Sequence, residues 1–379
     1  MSTAPSPASV AIAPRPPVDA VTEILACRAD GPRIGEFLRE RVPAVIVDSL
    51  ARVLDDGGGP ITCTVTRSKL KPQRRLTVSA ELYGLGPAPR QVSAVWGALP
   101  VSFAAGSEDP MIPAAARGPF ASLRVVPAGE SVSRPVLLVA PLDPAFPSLP
   151  ALHDPVQLAG VLRTQGVEVG PDELSLTTLR YRPGQRHVLR VDLAGSGRSI
   201  FAKCYRDDTG AAAAAARRRV ATALATCGVA AEPVSPVGYV ASERVMLWEG
   251  SAGTRLGEAV GEAGVESSGE SLAHLRTAGA ALRSIHDSPV SDVERTRSSD
   301  VDRELAATLR SCEHVSALLP GPGAALTALA ADASRRIACR PAETGHLLHG
   351  DFKCDNILLE QGDRLRLLDL DRVTLGDPA

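Results

Sequence analysis

No apolar stretch in this 379-residue sequence reaches roughly 18 residues, which excludes a helical membrane span. Charge of neither sign is in excess: 41 basic side chains stand against 43 acidic ones, so nothing marks nucleic acid or anionic lipid as a partner. The seven cysteines are scattered singly and none has CxxC spacing. The pattern argues against a disulfide framework and a structural zinc site, and a reducing cytosol is the natural compartment. The opening residues, MSTAPSPASVAIAPRPP, have neither the basic start nor the apolar centre of a signal peptide. Their Pro, Ala and Ser content reads as a disordered leader over 1–18. Lysine is nearly missing, with Lys69, Lys71, Lys203 and Lys353 the only ones. Gene base composition accounts for such a bias, so scarcity alone decides nothing, but each lysine merits inspection.

What is present suits an ordinary globular chain, 44% hydrophobic and 22% charged, long enough for two or three compact units. Residues 19–55 read as helices, with Ile34, Phe37 and Leu38 at helical spacing. Alternation then switches to strands over 61–83, and further strands are predicted near 90–96, 121–127 and 135–140. The Pro-rich stretch 141–150 reads as a boundary, followed by a helix at 155–165. Strands are expected at 176–182, 186–193 and 199–205, a helix at 210–226, and strands near 236–240 and 243–248. From 270 the pattern is helical until a strand-turn-strand at 355–371. Antiparallel strands with one helix, a connector and a helical half predict a two-lobed α+β fold.

The densest chemistry lies in His349-Gly350-Asp351-Phe352-Lys353-Cys354-Asp355-Asn356 and in Asp369. Asp351 follows the apolar Leu347-Leu348 in a polar turn, where a carboxylate can face a cleft. Asn356 precedes the apolar Ile357-Leu358-Leu359, and Gln361-Gly362-Asp363 supplies a hairpin turn. A hairpin of this length can return Asp369 beside Asn356, setting two oxygen ligands on one cation. Upstream, Ile200-Phe201-Ala202-Lys203 is an apolar strand ending in a lysine.

HGDFKCDN–x12–D, ending Gly376-Asp377-Pro378, resembles the aminoglycoside phosphotransferase and choline kinase superfamily, relatives of the protein kinases. The resemblance implies an antiparallel-sheet N-lobe over 151–250 and a mainly helical C-lobe over 251–379, preceded by an extra α+β domain over 19–150. It also implies ATP and Mg²⁺ as cofactors and transfer of the γ-phosphoryl group to a hydroxyl of a small molecule: an aminoglycoside, a sugar or a cyclitol. By the same resemblance Asp351 is the catalytic base, Asn356 and Asp369 are magnesium ligands, and Lys203 grips the α- and β-phosphates. Trp248 and Glu249 fall where the interlobe connector meets adenine. Lys353 falls near the transferred phosphate, and Asp371 is a second metal or structural carboxylate. Arg186 reads as a solvated turn arginine.

Two departures stand out. The helix expected to supply a glutamate to Lys203, residues 210–227, carries Arg217-Arg218-Arg219 and no acid. Glu232, Asp207 or Asp208 is left to substitute, or phosphate alone holds the lysine. The sequence also stops at Ala379, where family members continue into further helices, so the C-lobe is expected to be truncated. Both departures favour a rival reading, a non-catalytic pseudokinase with a binding or regulatory role. Nothing sets the oligomeric state.

Two smaller signals complete the reading. Lys69-Leu70-Lys71-Pro72-Gln73-Arg74-Arg75 echoes Arg180-Tyr181-Arg182-Pro183-Gly184-Gln185-Arg186, with Val95 where Lys203 stands in the later copy. The first domain is thus expected to contain a degenerate N-lobe hairpin that does not grip ATP. Glu258, Glu262, Glu266 and Glu270 recur every four residues, but the interspersed glycines point to a solvated loop rather than a helix.

Overall fold

The computed structural model describes residues 19–51, 60–84, 89–97, 135–262, 269–288, 301–339 and 345–377. The leader over 1–18 and the strand expected at 121–127 lie outside these residues. The chain opens with α1 (Ala20–Leu25) and α2 (Gly31–Glu36), which runs through a π-helical turn, Phe37–Arg41, into α3 (Val42–Ala51). Asp19 and Asp30 cap the first two helices, their carboxylates accepting from the Val21 and Arg33 N–H groups. Strands β1 (Thr62–Lys71), β2 (Arg75–Tyr83), β3 (Arg90–Gly97) and β4 (Val136–Val139) then form an antiparallel sheet in that order. Its apolar face, with Leu82 and Trp96, packs on Phe37 and Ile46 of the helical segment.

After α4 (Leu149–His153) and α5 (Pro155–Arg163) comes a second antiparallel sheet, ordered β5-β6-β7-β10-β9. Its strands are β5 (Leu174–Arg182), β6 (Arg186–Leu193), β7 (Ser199–Cys204), β9 (Pro236–Val240) and β10 (Val245–Glu249). The long helix α6 (Thr209–Cys227) intervenes, and β8 (Ala231–Pro233) departs to another sheet.

The first hairpins of the two sheets coincide in detail. Each turn begins with a proline, Pro72 or Pro183, and its next residue is left-handed: Gln73 at φ 57° and Gly184 at φ 68°. In each, the third turn residue donates its N–H back to the last strand carbonyl, Arg74 to Lys71 and Gln185 to Arg182. Register agrees as well. The third residue of the second strand faces Val95 in one sheet (Thr77) and Lys203 in the other (Val188).

Strand β4 joins the two sheets' cores through its period-two alternation. Leu137 and Val139 enter the first core, while Val136 and Leu138 enter the second. The Pro-rich segment that follows is packed inside, and its Asp143 is fully buried. Asp143 accepts from His187 Nε2 at 2.7 Å, from the Gly184 N–H at 2.8 Å and from the Ala145 N–H at 2.9 Å. One carboxylate therefore fixes the tip of the β5–β6 hairpin. Removing one partner of a buried, hydrogen-bonded pair leaves the others uncompensated, so Asp143→Ala should destabilise the fold by about 3–5 kcal/mol. Urea unfolding measures this, and a loss below about 1 kcal/mol would contradict the role given to Asp143.

The C-terminal half contains α7 (Leu256–Glu262), α8 (Gly269–His286), the pair α9 (Val301–Leu318) and α10 (Pro320–Ala338), and short strands. Residues 256–262 are helical despite Gly257 and Gly261, where the sequence suggested a loop, because Leu256 anchors the helix in the core. Glu266 lies outside the described residues. Strands β11 (Thr254–Arg255), β13 (Ile357–Leu359), β14 (Leu365–Leu367) and β8 form one sheet, and β12 (His346–Leu348) pairs with β15 (Thr374–Gly376). That last ladder holds together the two ends of the segment carrying Asp351, Asn356 and Asp369. Among the described residues, no helix is long and apolar enough to cross a membrane.

Candidate active site

The cleft between the second sheet and the C-terminal half is walled by β5, β6, β7 and β10 on one side and by the 349–373 segment on the other. Gly350 makes the turn into Asp351 at φ 76°, where an added Cβ would lie 2.2 Å from the Arg372 carbonyl oxygen. Only glycine permits that approach. Asp351 is then held from two sides. Lys353 Nζ donates to its carboxylate at 3.0 and 3.1 Å, and Asn356 Nδ2 donates to its backbone oxygen at 2.8 Å and to its Oδ2 at 3.2 Å. Partial burial pushes the Asp351 carboxyl up, but Lys353, Asn356 and Arg372 hold it below the usual range.

The β13–β14 hairpin brings Asp369 back beside Asn356, as its length suggested, and both line the same cavity. Asp369 sits in the left-handed region at φ 56°, a strain of order 1 kcal/mol for a residue with a side chain. Ion pairs offset it. Lys203 Nζ donates to Asp369 Oδ1 at 2.6 Å, and Arg186 Nη1 donates to Oδ2 at 3.1 Å.

Lys203 has a second partner. Its ammonium lies 2.5 Å from Asp371 Oδ2, and the Tyr205 hydroxyl donates to Asp371 Oδ1 at 2.8 Å. Burial, with Asp371 beside it, pushes the Tyr205 hydroxyl far above its ordinary range, so the ring oxygen stays a donor. None of the acids considered as substitutes for the missing helical glutamate reaches Lys203. Glu232 pairs with Arg364 and Arg366, Asp208 with Arg244, and Asp207 accepts from the Thr209 N–H. The reason lies in α6, whose small buried face of Ala213, Ala216 and Val220 lets the helix pack closely. Ala216, Val220 and Leu224 share a core with Leu370 and Val373, which sets Asp371 under the lysine strand.

Two chambers meet at Asn356 and Asp369. The larger, about 580 Å³, is lined by Lys203, Trp248, Glu249, Phe201, Leu358 and Leu368 among others, and Glu258 of α7 faces it. The second, about 540 Å³, contains Asp351 and Lys353. Each volume is in the range of small-molecule sites. Glu249 turns its carboxylate outward to Arg198 at 2.8 Å. Its N–H and that of Gly250 are already bonded to Ser235 and Ser199.

Residues 178–379 match the family described as the phosphotransferase enzyme family. The match covers more than half of the chain. This protein belongs to the phosphotransferase enzyme family. Its two-lobed α+β architecture is the protein-kinase-like one of small-molecule phosphotransferases. Among curated proteins none matches the chain. Among solved structures it is similar to a spectinomycin phosphotransferase in complex with ADP and spectinomycin, at 14% identity over 59% of this chain and 70% of that one, TM-score 0.42. A macrolide 2'-phosphotransferase from Brachybacterium faecium is similar at 18% identity over 59% and 74%, TM-score 0.38. A choline kinase from Streptococcus pneumoniae is similar at 14% identity over 54% and 66%, TM-score 0.35.

Two residues of this phosphotransferase gain a place that sequence did not give them. Arg186, read as solvated, is a half-buried member of the cleft, 3.7 Å from Asp371 besides its bond to Asp369. Tyr205 had no signal beyond its position two residues after Lys203. Burial would raise the Asp369 carboxyl, but Lys203 and Arg186 bring it down to about 2 from the ordinary 3.8. Because the folded value lies below the unfolded one, the resulting stability is complete above about pH 4 and is lost as pH falls towards 2. It amounts to about 2 kcal/mol. Denaturant titrations from pH 5 to 2 should show this slope in the wild type and a flatter one in Asp369→Asn. Identical slopes would contradict it.

Proposed function

We propose that the protein is an ATP-dependent O-phosphotransferase acting on a hydroxyl of a small molecule, with Asp351 as its catalytic base. The observation that carries this reading is the convergence of Asp351, Asn356, Asp369 and Lys203, from two lobes, on two adjoining chambers. The larger chamber would take the nucleotide, with Trp248 and the Glu249 backbone near the adenine and Lys203 at the phosphates. Since the Glu249 and Gly250 N–H groups are engaged, adenine would meet the peptide groups beyond them.

The donor set suits a hard cation such as Mg²⁺. Asp369 is ionised, and Asn356 spends its amide N–H on Asp351, which leaves its oxygen as a ligand. When bound, the ion would neutralise charge on the phosphates. In the transfer itself, Asp351 accepts the proton of the acceptor hydroxyl. The hydroxyl oxygen bonds to the γ-phosphorus as the bond to the β–γ bridging oxygen breaks, and ADP leaves with the electron pair. Lys353 and Asn356 orient the base; Lys203 holds the phosphates, itself fixed by Asp371 and Tyr205.

The same reading includes three units, 19–150, 151–250 and 251–379, with the first a degenerate copy of the N-lobe sheet. Matching turns and register support the copy, and Val95 in the lysine's place leaves it without a phosphate grip. Of the acceptors the resemblance suggested, a sugar or cyclitol suits the second chamber better than an aminoglycoside, because basic side chains predominate in its wall. Acceptor-dependent ADP formation across sugars, cyclitols, amino alcohols and aminoglycosides tests the proposal. Stimulation over the acceptor-free rate is expected. ATP binding without stimulation by any of them would support the pseudokinase reading instead.

A further inference from the structure

Among the described residues, seven basic side chains and three carboxylates line the chamber that holds Asp351. Two of the carboxylates are already neutralised, Asp351 by Lys353 and Asp369 by Lys203 with Arg186. Among the described residues, Lys69, Arg180, Arg182, Arg255 and Arg372 make no side-chain ion pair. Arg180 and Arg255 border both chambers, but Lys69, Arg182 and Arg372 border only the one with Asp351. They border the chamber of the base and not the larger one.

The positive lining continues outward. A groove between the first sheet and the β5–β6 turn shares Lys69, Arg182 and Gln185 with the chamber and adds Arg67, Lys71 and Arg75. Among the described residues, no carboxylate lines it. Burial first, and then neighbouring cations, push Lys71, Arg75 and Arg182 below their ordinary ranges, the sign of positive charges left facing one another.

We infer that the acceptor is an anionic hydroxyl compound, a sugar or cyclitol carrying a phosphate or carboxylate, whose anionic group is held by Lys69 of the first domain together with Arg182. This rests on the reading of the Asp351 chamber as the acceptor site. A planar guanidinium and an ammonium converging on one cavity suit an oxyanion, with Arg182 able to bond two of its oxygens. A polycationic acceptor would add charge of the wrong sign, and a neutral one would leave these cations uncompensated. The first domain then takes part in substrate recognition, contributing Lys69 from its hairpin.

Titration calorimetry of the full chain, with Mg²⁺ and a non-hydrolysable ATP analogue present, tests the inference separately from turnover. The probes are glucose, glucosamine, glucose 6-phosphate, glucuronate, myo-inositol and inositol 1-phosphate. At least one anionic probe should bind about tenfold or more tighter than its neutral parent and than glucosamine. Lys69→Gln combined with Arg182→Gln should remove that preference while the affinity for the ATP analogue is kept. Neutral or amine probes binding as tightly as the anionic ones would overturn the inference, as would no binding by any anionic probe. So would a loss of ATP affinity in the double variant equal to the loss for the anionic probe, since the cations would then serve the triphosphate. Acceptor-dependent ADP formation is the separate readout of the phosphotransferase reading. Turnover of neutral or amine acceptors alone would leave that reading intact and sink the anionic acceptor.

Discussion

Asp351→Asn is expected to lower acceptor-dependent phosphoryl transfer by about 10²–10⁴-fold, the span of a positioned general base. The change is nearly isosteric, and the new amide oxygen still accepts from Lys353, so the turn should keep its shape. What is lost is the proton acceptor. Asp351 borders the second chamber and not the larger one proposed for the nucleotide, so ATP affinity should hold. Trp248 lines the larger chamber, whereas Trp96 is buried in the core under the first sheet, so fluorescence titration with ATP reports the proposed nucleotide site. Turnover within about threefold of the wild type would remove Asp351 from the role of base.

Lys203→Met should have the next largest effect. Lys203 lies between Asp369 and Asp371, whose side chains are only 22% and 16% exposed. Without the ammonium, Arg186 is the remaining cation between two half-buried carboxylates, and the phosphates lose their partner from the sheet. A decrease in kcat/KM for ATP on the order of 10²-fold or more is expected, the size of losing a preorganised charge in a cleft. Asp371→Asn should cost less than Lys203→Met but clearly more than Glu232→Gln, since Glu232 serves Arg364 and Arg366. Equal losses in Asp371→Asn and Glu232→Gln would contradict Asp371 as the lysine's counterion.

The order of these effects reflects how the site is divided between local and distant chemistry. His349–Asn356 and the hairpin back to Asp369 were legible in the sequence because a turn, its polar residues and its return strand lie within a few residues of one another. Lys203 was legible because an apolar strand ending in a scarce lysine is a local pattern. Asp371 as its partner was not, since the Tyr205–Asp371 and Lys203–Asp369 bonds each span 166 residues. Arg186 reaches Asp369 across 183 residues, and nothing beside it in sequence distinguishes it from a solvated turn arginine. Asp143 was hidden for another reason: a buried carboxylate in a Pro-rich stretch has the composition of a surface boundary. Of the loop expected over Glu258–Glu270, the part up to Glu262 is helical, glycine's weak propensity being outweighed by the burial of Leu256.

The first sheet shows the same division. Its hairpin was visible as an echo of the second because both use proline followed by a left-handed residue. That the hairpin's Lys69 faces the Asp351 chamber was not, since it depends on β4 serving both cores. That shared strand explains why the first sheet can border the cleft at all.

Following the γ-phosphoryl group itself tests the central claim most directly. With γ-labelled ATP, Mg²⁺ and an accepted sugar or cyclitol, the label is expected on the acceptor in the wild type. It should be missing when Mg²⁺ is chelated, and it should fall to background in Asp351→Asn despite unimpaired ATP binding. Label that remains on ATP in the wild type with every acceptor offered, or that reaches an acceptor equally well in Asp351→Asn, would contradict phosphoryl transfer by this constellation.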